Sequence, residues 1–443
     1  MHGFLKTTKK SRTSVNVSYC FLVLVLSLTL TLSTASLLAQ HEGHDHGTEA
    51  AAEGAHSCGE ADEDGDYDAV ATVMHHISDA NEFHIWKDVH IPLPIFLYAP
   101  DHGWTIGTSS MFHHGHAAVD RYLINHGRVN RIADADFPMG EVPINGIMHE
   151  VETITDSKGK EKEIDVYFAC ANNHLWELER PSTLDGGVLG GGLTSFYDFS
   201  ITKNVFTMML AALLLLFLFS AVARGYRRNE GQAPSGIQSF MEPFFVFIRD
   251  EVTKPMIGEK HYERFQPFIM TLFFFILFCN LMGLVPFFPG GANVTGNLAV
   301  TLVLAVLTFI VVNFNGNGHY WEHVFWMPGI PAWVKVILTP VEILGLFIKP
   351  FSLMIRLFAN ISAGHIIILS LIGLIFLFGN NGDSVGGAAT GAVIGGLFTA
   401  FMNLIELLVA FLQAFIFAIL TASYIGAAVE EHEHHDHDHE RAH

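Results

Sequence analysis

The chain has 443 residues, half of them hydrophobic, and a formal charge of −20. That acidic balance gives no support to a nucleic-acid partner. Acid and histidine crowd into two flanks, near 41–68 and 430–443, and leave a charge-poor middle, which excludes a uniformly acidic soluble domain and indicates a membrane protein with polar ends.

The N-terminus has the parts of an export signal. Lys6, Lys9, Lys10 and Arg12 form a positive flank, "YCFLVLVLSLTLTL" the apolar region, and "STASLLAQ" the small-residue site. Cleavage after Ala39 is expected, giving a signal peptide over 1–39. A retained span is the alternative, but it needs roughly 20 apolar residues and this run is shorter. Residues 40–74, with "HEGHDHG", lack apolar periodicity and are expected to be disordered. Residues 75–200 are expected to form a small, mostly β domain outside the membrane. "HIPLPIFLYA", "WTIGTSSMF" and "DVYFACA" are β-rich runs separated by turn signals. The four cysteines show no CxxC spacing, so no zinc or redox motif is visible. Export would allow Cys58 and Cys170 to bridge, although no spacing positions them.

Apolar segments predict five spans in a domain over 201–429: Val205–Ala223, Pro267–Pro286, Leu298–Phe314, Val341–Phe378 and Gly391–Val429. The last two are too long for upright spans and must tilt or kink, with Pro350 the expected kink. Arg224, Arg227, Arg228, Arg249, Lys254, Lys260 and Arg264 lie between spans one and two, whereas "FPGGANVTGN" and "GNNGDSVGGAATG" carry no Lys or Arg. The positive-inside rule then puts the β domain outside and the tail, 430–443, in the cytoplasm.

The spans carry polar residues in two stripes. Glu342, Lys349 and Arg356 are spaced by seven, and Asn360 follows Arg356 by four. Each seven-residue step turns only about 20° from one line. His365 faces another neighbour, beside the small Ala363 and Gly364. Glu406, Gln413 and Tyr424 form the second stripe, on the antiparallel fifth segment. Single intramembrane Asn, Gln and Tyr residues commonly join helices, and Lys349 and Glu342 could snorkel to a surface. Arg356 demands more. It cannot shed its proton, and mid-span it costs about 2.5–3.5 kcal/mol. A fixed cation there draws a carboxylate and favours its ionised form.

"PVEILGLFIKPFSLMIRLFANISAGHIIIL" with "LLVAFLQAFIFAILTASYIGAAVEEH" resembles subunit a of the rotary (F-type) ATP synthase. The resemblance spans about 200–431. It implies an all-α membrane domain in the cell inner (plasma) membrane, working as a proton-translocating stator subunit. Arg356 matches the essential arginine facing the rotor. Asn360, His365, Glu406 and Gln413 match the outer-side proton path and Glu342 the inner-side path; Tyr424 is counted among the proton-translocation residues without a side. Some relatives have the acid first and the histidine second; here His365 comes first and Glu406 second. The implied partners are a rotor ring of proteolipid subunits, a peripheral-stalk subunit and, indirectly, the catalytic head. No catalytic site, cofactor or metal is expected in this chain. Two other readings stay open: a divalent-metal transporter with His-rich flanks, and a structural stator without an ion path.

Overall fold

A computed structural model describes residues 78–86, 89–155, 161–179, 195–285, 288–327, 329–379 and 384–430. The expected signal peptide, the His-rich segments and Cys58 lie outside them. Cys170 is disulfide-bonded and Cys279 is free, so the partner of Cys170 also lies outside the described residues.

The N-terminal part is built from short antiparallel sheets. Strands β1 (Glu82–Trp86) and β2 (Val89–Pro92) pair with each other. Strands β3 (Pro94–Ala99) and β4 (Gly103–Thr108) start a second sheet. Strands β5 (Ala117–Val119), β6 (Tyr122–Asn125), β7 (Arg128–Arg131) and β8 (Glu141–Pro143) form a third, in the order β7-β6-β5-β8. Strands β9 (Gly146–Thr155), β10 (Glu161–Ala171) and β11 (His174–Glu177) make the fourth. Strand β12 (Tyr197–Asp198) returns to pair with β3. Three hairpins turn on two central residues that both have positive φ: Asp120–Arg121, His126–Gly127 and Asn172–Asn173. That is the backbone sign which matches the twist of the flanking strands.

The expected run "WTIGTSSMF" is not one strand. β4 ends at Thr108, and a 3-10 turn follows over Ser109–Gly115. Ser109 ends the strand by bonding Leu93 twice, its N–H donating to the Leu93 carbonyl at 3.0 Å and its hydroxyl accepting from the Leu93 N–H at 3.2 Å. Beneath the sheets Arg131 is 1% exposed. It bonds Asp101 and the Ser195 hydroxyl, and its guanidinium lies 5.7 Å from the centre of the Tyr122 ring.

The C-terminal part is helical: α1 (Lys203–Arg228), α2 (Ile237–Phe247), α3 (Lys254–Ile257), α4 (Tyr262–Leu284), α5 (Leu298–Phe314), α6 (Gly318–Trp326), α7 (Ala332–Phe378) and α8 (Val385–Val429). A π-helical turn over Ile248–Thr253 links α2 to α3. Among the described residues four helices are long and apolar enough to cross a membrane, and a fifth span results if α5 and α6, bent by 104°, count as one. The five expected segments are therefore all present. Helices α2, α3 and α6 were not expected. They lie in loops where Pro, Gly and charge obscure the helical period.

Side chains cap the span entries. Thr202 accepts from the Val205 N–H, Asn297 from Ala299 and Ser384 from Gly387, each satisfying a donor that helix geometry leaves open. Helix α7 has 47 residues, about 70 Å at 1.5 Å per residue, against roughly 30 Å of hydrocarbon. It runs through Pro340 and Pro350 as one helix. Helix α4 is the most enclosed span and packs against α1 and α8; α7 is the least enclosed. The uncovered face of α7 carries Phe347, Phe351, Ile355 and Ile366.

The β domain is tied to the first turn of α1. Lys203 donates its N–H to Ala80 at 2.8 Å, and Asn204 donates to Asp79 Oδ1 at 3.1 Å. Phe83 of β1 meets the rings of Phe206 and Phe288 at 5.6 and 5.3 Å.

Candidate functional site

The polar residues of both long segments converge on the antiparallel pair α7–α8. Gly391 and Gly395, one turn apart on α8, bring the two backbones together. A Cβ on them would stand 2.8 Å from the Leu374 carbonyl oxygen and 2.7 Å from that of Leu371. Small residues at this spacing permit close approach in a membrane, where packing rather than the hydrophobic effect holds helices together.

His365 and Glu406 face each other across this contact. His365 Nε2 lies 3.9 Å from Glu406 Oε1, with side chains 16% and 4% exposed. Neither Glu406 oxygen is hydrogen-bonded to another described residue. A buried carboxylate without a hydrogen-bond partner is costly as an anion, so the position suits a group that takes up and releases a proton. The Nε2 edge of His365 rests against the end of α4, 3.5 Å from where a Gly283 Cβ would be. Just past that end of α4, Phe288 meets Phe83, so the cluster sits at the β-domain end of the helix pair. Gln413 lies on the same buried face of α8, at 6% exposure.

Asn280 of α4 was not singled out by the sequence. Its Nδ2 donates to the Ala410 carbonyl at 3.0 Å, and its Oδ1 accepts from the Thr295 hydroxyl at 2.6 Å. It thereby joins α4, α8 and the loop before α5 one turn from Glu406. A lone polar residue in "FFFILFCNLMGL" was the available signal.

Arg356 precedes His365 by nine residues, about 13.5 Å along the axis. It is part-exposed. The salt bridges among the described residues do not include it, whereas buried or half-buried charges are normally paired. Asn360, grouped above with the outer-side residues, is exposed, as is Ala359 beside it.

Beyond Arg356 lies a second polar region. Lys349 Nζ stands 5.8 Å from the centre of the Tyr424 ring. Both line a narrow, partly open cleft with Thr308, Asn313 and Tyr320. The Tyr320 hydroxyl is 3.3 Å from Asn313 Oδ1, and Glu342 is part-exposed on α7, seven residues before Lys349. Spacing puts Glu342 and Lys349 in one stripe and Tyr424 in the other, and the structure brings Lys349 and Tyr424 together; the sequence missed Asn313 and Tyr320, which lie on other helices. The helix pair therefore offers two polar regions on opposite sides of Arg356, a cation without an ion-pair partner among the described residues.

Comparison with known proteins bears on the whole helical part. A family profile described as ATP synthase A chain matches residues 205–426. A second profile, described only as a domain of unknown function, matches 72–151. A protein of Chloroherpeton thalassium named ATP synthase subunit a is 44% identical over 244 residues, 53% of this chain and 69% of the relative. One of Myxococcus xanthus with the same name is 42% identical over 256 residues, 56% and 78% of the two chains. One of Anaeromyxobacter is 35% identical over 321 residues, 69% and 75%. None of these similarities supports the divalent-metal transporter.

Proposed function

This chain belongs to the ATP synthase A chain family, and from that premise we propose how its residues work as the proton-translocating stator subunit of the synthase. Protons enter from the side bearing the β domain, through His365, Glu406 and Gln413. They pass to a carboxylate on a ring of rotor subunits held against the exposed face of α7. After rotation they leave through the region of Glu342, Lys349, Tyr424 and the cleft behind them. The β domain lies outside the cytoplasm and the C-terminus inside, as the loop charges support.

Arg356 carries this reading. It is a permanent cation on a span, it has no anionic partner among the described residues, and it lies toward the uncovered face that also bears Asn360. A carboxylate arriving from another subunit supplies the missing charge. Beside Arg356 that carboxylate is held ionised and gives up its proton. Arg356 also blocks direct passage of protons between the two polar regions. Each charge crossing the membrane potential contributes about 2.3 kcal/mol per 100 mV, which makes rotation directional. Asn360, on the same face, contacts the rotor surface rather than the buried pair. A peripheral-stalk subunit holds the chain still while the ring turns, and the catalytic head makes ATP elsewhere.

The test is Arg356→Ala in energised membrane vesicles. Proton-driven ATP synthesis should be lost while the chain remains in the membrane. Arg356→Lys should not restore it, because an ammonium lacks the planar fork and can be neutralised when buried. A near-normal rate in the Ala variant would overturn the assignment.

A further inference from the structure

Three side chains from separate elements of the β domain converge on one point. Glu82 opens β1, and His90 lies on β2. The register Glu82↔Pro92 puts them on the same face of the strand pair. His114 arrives from the 3-10 turn after β4. There His113 and His114 hold φ of 45° and 58°, a left-handed backbone uncommon outside glycine. Such conformations persist where the surroundings over-determine them, and they cluster at ligand sites.

The turn aims His114 at Glu82. His114 Nδ1 is 2.9 Å from Glu82 Oε2, and His90 Nδ1 is 3.4 Å from Glu82 Oε1. The two imidazoles lie 3.9 Å apart between centroids, tilted by 34°. One ligand atom from each residue falls within 4.8 Å of the other two. Glu82 and His90 are largely enclosed, at 14% and 16% side-chain exposure, and His114 is open at 44%.

We propose that Glu82, His90 and His114 bind one divalent transition-metal ion of the zinc type. Ligands at about 2.0–2.2 Å around a tetrahedral ion stand roughly 3.4 Å from one another, and the two nitrogens lie 2.9 and 3.4 Å from the Glu82 carboxylate oxygens, close enough for small side-chain shifts to close on one ion. Two imidazoles and a carboxylate, with one side open for water, form a donor set suited to zinc. Calcium and magnesium favour oxygen-only shells. A single dication engages all three groups together. His113 is not part of the set, because its Nε2 lies 3.2 Å from Glu141.

The ion would act as a structural tie. Phe83, next to Glu82, is the residue that docks on Phe206 and Phe288. Binding therefore pins the docking strand to the turn after β4. The expectation that the chain holds no metal came from spacing, and these ligands belong to three elements without a common spacing.

The experiment uses the full chain, purified in detergent, stripped with a chelator and titrated with zinc against a chromogenic competitor. Wild type is compared with Glu82→Gln, His114→Ala and the control His113→Ala. The His-rich flanks bind equally in all four chains, so the difference reports the site. Glu82→Gln and His114→Ala should each hold one zinc fewer per chain than wild type, and His113→Ala should match wild type. Equal stoichiometry in all four overturns the proposal. Cobalt loading of the wild type guards against misfolded variants. Intense ligand-field absorption from a four-coordinate ion, displaced by one equivalent of zinc and retained in His113→Ala, is expected. Its absence also overturns the site.

Discussion

Gly364 of α7 sits against Glu406 of α8 so closely that a Cβ on the glycine would stand 2.7 Å from Glu406 Oε1 and 3.0 Å from its carboxyl carbon. The glycine defines where the carboxylate can be. Ala usually gains up to about 1 kcal/mol over Gly in a helix interior, so its conservative look is misleading here.

Gly364→Ala should insert normally and slow proton-driven ATP synthesis several-fold, because the Glu406 side chain must move away from His365. Adding Glu406→Asp, one methylene shorter, should recover part of the rate. Vesicle synthesis rates for the two variants check this. An unchanged rate in Gly364→Ala would show that the carboxylate's position does not matter.

His365 and Glu406 should behave as a coupled pair. Each single exchange, His365→Glu or Glu406→His, leaves two like groups in one small volume. Two carboxylates repel, and two imidazoles lack the acid. The double exchange restores one of each and should exceed the product of the two single losses. A double-mutant cycle in ATP synthesis measures the coupling. Independent, additive losses would place the two residues on separate paths.

Asn280→Leu removes two buried hydrogen bonds, to Ala410 and from Thr295. At about 1 kcal/mol each, the helical part should lose roughly 2 kcal/mol, and synthesis should fall as α8 shifts beside Glu406. Asn280→Asp keeps the acceptor for Thr295 but sets a buried carboxyl oxygen against the Ala410 carbonyl, so its loss should be at least as large. Thermal inactivation in detergent compares the two. Full stability in Asn280→Leu would remove Asn280 from the account.

Asp101 offers a pH test away from the membrane. The hydrogen bond from Arg131 holds its carboxyl below the usual range, the charges of Arg131 and Arg121 add to this, and partial burial opposes it. A carboxyl with a lowered folded-state pKa contributes stability above its unfolded pKa and loses it as pH falls through the folded one. The urea midpoint of the β domain, followed by tryptophan fluorescence, should therefore decline as pH drops below about 4. Asp101→Asn should start lower at neutral pH and show a shallower acid decline. Parallel curves for the two chains would remove Asp101 from the acid response.

The helical part was legible because lipid leaves few options. A stretch such as Leu298–Phe314 can only be a helix there, and Arg356 is conspicuous for the same reason. Seven-residue spacing found the buried face of Glu406 and Gln413, since one helix generates it. A four-residue step placed Asn360 with Arg356 and could not show that Asn360 is exposed, because exposure depends on which neighbour covers a face. Asn280 and Tyr320 stayed hidden because their relevance comes from other helices. In the β domain "DVYFACA" was a strand, as expected, within β10. The break after Thr108 was not visible, since it rests on Ser109 reaching back to Leu93.

The bonds from Ala80 and Asp79 to the first turn of α1 have a mechanical consequence. A domain on a loose linker absorbs a sideways push by swinging. Here there is no slack: the strand segment and the helix share backbone and carboxylate bonds, and Phe83 is wedged between Phe206 and Phe288. A push on the sheets becomes a tilt of α1, which leans on α4, the most enclosed helix. The β domain is thus a lever fixed to the part of the molecule least able to turn, and any grip on it from outside steadies the helices within.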